Sequence, residues 1–222
     1  MTINFTQVPA NSRIPGVYVE YDNTNANQSL SIQPYRCLVV GQKTSAGSQA
    51  ALTPISVSSK EQASDLFGPG SMLHEMAKAY FARSGTTIVD FVAFADPTGV
   101  LATGSINFGG EATAAGTLNL CIGGEKIAVA VAVGDGDEDV AAAFVSAINA
   151  KTSLVVTALI DGSDDTLVNL TAKNKGPLAN EVDIRFNYNS GEATPAGITH
   201  AITALSSGSG VPDFSTLWSV LG

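Results

Sequence analysis

Apolar and polar positions follow two different rhythms along the 222 residues. In RCLVVGQ (36–42) and TTIVDFVAFAD (86–96) apolar residues run with little alternation, as in strands covered on both faces. Between them lie the brief TPISV and two helix patterns. Ser59 precedes KEQASDLFG, with Gln62 at the capping-box position and Gly68 and Pro69 as the stop. Ser71 then caps a longer helix, whose Met72, Leu73, Met76, Ala77, Tyr80 and Phe81 share one face and which Gly85 ends. Strand, helices, strand predicts a crossover unit in a parallel or mixed sheet.

From about Gly104 the rhythm changes to short alternating strands separated by turn residues, which predicts an antiparallel sandwich or barrel. SINFGG comes first, then GTLNLCI and KIAVAVAV around Gly123 and Gly124 in a hairpin signature. DEDVAAAFVSAINA (137–150) is the one helix of this region, with acids at its N-terminus as the helix dipole prefers. SLVVTALI, TLVNLTA, EVDIRFNY and ITHAITAL supply further strands, SSGSG (206–210) reads as a linker, and VPDFSTLWSVLG begins a new apolar helix or strand. The fold class expected is α+β, an incomplete α/β domain carrying an inserted antiparallel β-sandwich or barrel with one helix. Its parts are an arm and linker at 1–34, the first part of the α/β domain at 35–101, the insertion at 102–207 and the start of a return at 208–222.

One strand signal stands apart. In RIPGVYVEYDNTNA, Val17, Val19 and Tyr21 fall on one face of an extended chain, and Tyr18 and Glu20 on the other. Pro15 and Gly16 close it on one side, and the polar DNTNANQSLSIQ separates it from the next apolar run. Such a tethered strand can join another molecule's sheet or loop back as an edge strand of its own.

Charge narrows the partners. Eleven basic against twenty acidic side chains give a net charge of −9, which repels phosphate backbones and anionic membrane surfaces, so neither nucleic acid nor membrane is expected as a partner. The acidity is uneven: residues 1–100 hold 6 basic and 7 acidic side chains, and 101–222 hold 5 and 13. The start lacks the basic and apolar regions of a signal peptide, and the longest apolar run, Ile127 to Val133, is too short to span a bilayer, which predicts a cytoplasmic product. Cys37 and Cys121 lie in strand-like runs without metal-ligand spacing and read as buried reduced thiols.

Candidate chemistry is sparse. The two histidines, His74 and His200, belong to no ligand pair. GPGSMLHEMA resembles the Gly-Ser-Met that opens the nucleophile helix of subtilisin-like hydrolases and makes Ser71 the single nucleophile candidate, against its reading as a helix cap. Asp135, Asp137 and Asp139 alternate as in a calcium loop, but Val140 and Ser146 stand where that loop needs Gly and Glu, and DGSDD at 161–165 reads as a turn. Leu73 breaks a GxGxxG pattern, and no GK[ST] follows a Gly-rich loop. No catalytic residue, cofactor or metal site is predicted, and the chain is not expected to be an enzyme.

Together the segments IPGVYVEYDNTNA, CLVVGQ, LFGPGSMLHEMAKAY, ATAAGTLNLCIGGEKIAVAVAVGD, AINAKTSLVVTAL and LTAKNKGPLANEVDIRFNY resemble the tail sheath proteins of Mu-like contractile-tailed bacteriophages and prophages, collinearly over nearly the whole chain. The resemblance implies a subtilisin-like sheath core without a protease role. It implies a subunit that polymerises as helically stacked hexameric rings around a tail tube protein, with baseplate and tail terminator proteins as further partners. It also implies assembly in the host cytoplasm, a place in the virion tail, and contraction that drives the tube through the host envelope. In that family a terminal arm lends a strand to a neighbouring subunit, which assigns Val17, Tyr18, Val19, Glu20 and Tyr21 as the donated strand. Family members continue past Gly222 to complete the core, so the chain as given is expected to be a monomer unable to form contractile cylinders. The alternative is a β-sandwich binding module for a glycan or cell-surface ligand, which would need an aromatic-lined groove, and the region's few aromatics, Phe108, Phe144, Phe186 and Tyr188, sit mostly within strand or helix patterns.

Overall fold

The computed structural model describes residues 15–17, 19, 36–83 and 88–218, and the chain divides into two compact units, Met1–Tyr35 and Arg36–Gly222. In the first unit Val17 and Val19 are exposed and lie outside regular secondary structure, and Tyr18, Glu20 and Tyr21 lie outside the described residues. Of the five residues expected to form a donated strand, Val17 and Val19 are the two among the described residues.

The second unit opens with β1 (Arg36–Gln42), β2 (Ile55–Ser56), α1 (Lys60–Phe67), α2 (Met72–Arg83) and β3 (Ile88–Phe94). β1 and β3 pair in parallel from Arg36 opposite Ile88 to Gln42 opposite Phe94, and β2 runs antiparallel on the other side of β3. This is a mixed three-stranded sheet in the order β1, β3, β2. The central strand β3 is the apolar one because both its edges are paired and its side chains Val89, Phe91 and Ala93 meet Phe67, Leu73 and Ala77 of the helices in one core. Of the predicted α2 face, Leu73 and Ala77 are fully buried, Tyr80 and Phe81 pack at the margin, and Met76 is exposed.

Helix starts follow the predicted caps with one shift. Ser59 Oγ accepts the Gln62 N–H at 3.1 Å, but the Gln62 side-chain Oε1 reaches past the cap residue to accept the Ser58 N–H at 2.9 Å. Gly68 ends α1 at φ 90°, a conformation that costs a glycine little and a side-chain-bearing residue much.

The remaining elements are β4 (Leu101–Gly109), β5 (Gly116–Ile122), β6 (Glu125–Val131), α3 (Asp137–Ala150), β7 (Val156–Ile160), β8 (Leu167–Lys175), β9 (Ile184–Phe186) and β10 (Thr199–Ser206). They form two antiparallel sheets, β10-β4-β8-β7 and β6-β5-β9. Alternate residues point inward, Ile106 and Phe108 from β4, Leu118, Leu120 and Ile122 from β5, Val168 and Leu170 from β8, and α3 adds Phe144 and Ile148 to the same core. Phe108 stacks on Phe144 at 5.1 Å between ring centroids, and Phe186 meets both rings edge-on at 6.0 and 5.8 Å. The class is α+β, with two separate apolar clusters in one compact unit.

Three local expectations are modified. EVDIRFNY gives only the three-residue β9, because Gly176 and Pro177 lead into a short 3-10 turn, Pro177–Glu181. SSGSG is not a free linker: Ser209 and Val100 exchange backbone hydrogen bonds at 3.1 and 3.0 Å, and Asn180 holds Gly208 by both its side-chain oxygen and nitrogen. The chain therefore enters and leaves this region on adjacent strands, with Thr103 opposite Ser206. Cys37 and Cys121 are free thiols, half-buried rather than buried.

Candidate functional site

The two apolar clusters meet along a polar seam built mainly from β8, the ends of β1 and β3, and the turn before α2. Asn174 of β8 is its hub. The Asn174 Oδ1 accepts the Met72 N–H at 2.9 Å, so a side chain from the sandwich satisfies one of the open donors at the start of α2. Its Nδ2 donates to the Lys43 carbonyl at 3.2 Å and to Asp96 Oδ1 at 2.7 Å. Gln42, buried at the end of β1, donates to that same Asp96 oxygen at 3.3 Å and to the Lys175 carbonyl at 3.0 Å.

Further along, Lys173 donates to the carbonyls of Pro69 at 3.2 Å and Thr152 at 2.6 Å, and its burial pushes its pKa below the usual lysine value. Lys78 of α2 pairs with Glu75 at 2.8 Å and with Glu125 of β6, which also pairs with Lys151 at 2.9 Å. Burial alone pushes the Glu125 carboxyl up, but hydrogen bonds from Lys78 and Lys151, with their positive charges, outweigh it and hold the group at about 2. None of Asn174, Gln42, Lys173 or Glu125 stands out in the sequence as a site. The available signal is the polar KNK that ends an otherwise alternating apolar strand at 173–175.

The chemical candidates resolve into structural roles. Ser71 is fully buried, and its Oγ accepts the His74 N–H at 3.2 Å, the helix-cap arrangement. His74 does not face that hydroxyl as a base would: its Nδ1 accepts the Gly70 N–H at 3.0 Å. In the alternating acidic loop, Asp135 accepts the Ala132 N–H at 2.7 Å, Asp137 the Gly110 N–H at 3.2 Å and Asp139 the Gly136 N–H at 3.3 Å, so all three carboxylates close turns or cap α3. Asp161 and Asp164 are engaged in the same way by Ser163 and Thr166. Among the described residues no group of three or more His, Cys, Asp or Glu side chains is placed to hold a metal, and no helix is long and apolar enough to cross a membrane. The aromatic residues that a glycan groove would need are spent on the core, where Phe108 and Phe144 are buried and Phe186 packs against both, leaving Tyr188 exposed.

No protein-family model matches the chain. It is 38% identical over 223 aligned residues to the Mu-like prophage FluMu tail sheath protein of Haemophilus influenzae, a match that takes in the whole chain. Along its whole length the chain is similar to part of a tail sheath protein. It spans 45% of that relative's length. The similarity therefore runs through both apolar clusters, the polar seam between them and the Val17–Tyr21 segment.

Proposed function

We propose that this chain is part of a structural subunit of a contractile phage tail sheath. The complete subunit polymerises as stacked hexameric rings around a tail tube, ends against baseplate and tail terminator proteins, and shortens to drive the tube through the host envelope. It assembles in the host cytoplasm and functions in the virion tail without catalysing a reaction. The observation that carries this reading is the 38% identity to a tail sheath protein, sustained from one end of the chain to the other.

Residues 102–207 are, in this reading, a sandwich inserted into a sheath core of subtilisin-like type, entered and left through the adjacent β4 and β10. The segment Val17 to Tyr21 is the arm that adds a strand to a neighbouring subunit's sheet. Exposed Val17 and Val19 support it, because two apolar side chains held in water gain about 1.5 to 3 kcal/mol each when a contact buries them. Ordering each strand residue costs roughly 1 to 2 kcal/mol, so a single arm is held marginally. Repetition around a ring converts later contacts into intramolecular ones and raises the overall avidity by orders of magnitude.

The test is Val19→Asp in the complete protein. A charge buried at the subunit contact should abolish sedimentable polymer while leaving circular dichroism of the monomer unchanged. Polymer at the wild-type level would remove the arm from the account, and loss of monomer structure would place Val19 in its own subunit's core.

A further inference from the structure

His74 sits where the turn before α2 presses on the sandwich. His74 is 6% exposed, and its Nδ1 accepts the Gly70 N–H at 3.0 Å, which fixes the ring proton on Nε2. Gly70 lies at φ +73°, and a Cβ there would fall 2.0 Å from the Leu154 carbonyl oxygen. The Gly70 backbone is thus in direct contact with the segment that leads into β7. The neighbouring Pro69 carbonyl accepts from Lys173 of β8, so the turn is bonded to the sandwich at Pro69 and packs closely on it at Gly70. His74 also lines a cleft of about 460 Å³ open to solvent, through which a proton can arrive.

We propose that His74 is a proton-operated latch on this seam: neutral, it fixes the Gly70 turn in the conformation that packs on the sandwich, and protonated, it frees that turn. The chemistry is direct. An imidazolium carries a proton on both nitrogens, so Nδ1 ceases to be an acceptor and the Gly70 N–H faces another donor.

The surroundings oppose the charged form. Burial is the largest influence lowering the His74 pKa, Lys78 on its own helix and Lys173 of β8 add to it, and Glu125 of β6 and Glu61 of α1 act the other way. Lys60 and Asp65 of α1 also line the cleft. A histidine with a folded-state pKa below its ordinary 6.5 contributes stability that is whole above 6.5 and is lost as pH falls through the folded value. Glu125 loses its charge only below its ordinary 4.5, toward about 2, so the Lys78–Glu125 pair is still charged when the pH first falls below 6.5.

The test is amide hydrogen exchange of Gly70 in the 222-residue chain, read as protection relative to an unstructured amide at the same pH. Protection should fall as the pH drops from 7.5 through 6.5 and below, by up to about tenfold, the loss of roughly one hydrogen bond. His74→Asn places an acceptor near the Nδ1 position without a titrating group, and should keep the protection and flatten the profile. The second histidine, His200, packs on Phe186 in the sandwich, so a global unfolding curve would mix the two, whereas the Gly70 amide reads His74. A flat wild-type profile would overturn the proposal, and so would an equal fall in the Asn variant. Should that variant fail to fold, the His74 ring 15N shifts of the wild type decide, because the fall in Gly70 protection must begin near 6.5 and level off at their titration midpoint.

Discussion

At the residue scale the seam depends on side chains that each serve several partners. Asn174 satisfies one helix N–H, one carbonyl and one carboxylate, and no other amino acid of its size offers an acceptor and two donors in that geometry. Replacing it with Ala leaves the Met72 N–H, the Lys43 carbonyl and part of Asp96 without their partner. Asn174→Ala should therefore lower unfolding free energy by about 1 to 3 kcal/mol, measured by urea denaturation followed by circular dichroism. A change within a few tenths of a kcal/mol would mean that water replaces all three bonds. The sequence conceals such a residue because an Asn near a strand end is read as a turn former, and its three partners lie 78 to 131 positions away or in an unrelated element. Ser71 shows the converse. Both its readings are visible in GPGSMLHEMA, and only its burial and the direction of the His74 ring decide between them.

Elements were legible where local signals agree with tertiary demand. β1, α1 and α3 match their sequence patterns from end to end, because a Gly, a Ser cap or an acidic first turn marks their limits. The β5–β6 hairpin is similarly determined by Gly123 and Gly124, at φ 55° and 85°, the left-handed pair that a two-residue turn needs. A Cβ on Gly124 would meet nothing within 4 Å, so its requirement is purely conformational. Gly124→Ala should cost about 1 kcal/mol in unfolding free energy without loss of cooperativity, while Gly123→Asn should be nearly neutral, since Asn tolerates the left-handed region. Equal stability of wild type and the Ala variant in thermal denaturation would show that this turn does not set the register. Less legible were β9 and the 206–210 stretch. In both, backbone pairing with residues far along the chain decides the structure, Leu120 to Ile122 for β9 and Val100 for Ser209, and composition carries no trace of such a partner.

On the scale of the whole molecule, two apolar cores joined by hydrogen bonds and ion pairs form a single compact unit, with a separate N-terminal unit whose described valines are exposed. The change of rhythm near Gly104 and the shift to acidic composition signalled the two cores, whereas the polar contacts that join them required the three-dimensional arrangement. A subunit of this kind is defined by what it assembles into. Electron microscopy of the complete protein, expressed with its tail tube protein, tests that most directly. Hollow cylinders of stacked six-membered rings enclosing the tube are the predicted result, and dispersed particles that never coat the tube at concentrations where the tube itself polymerises would contradict the account.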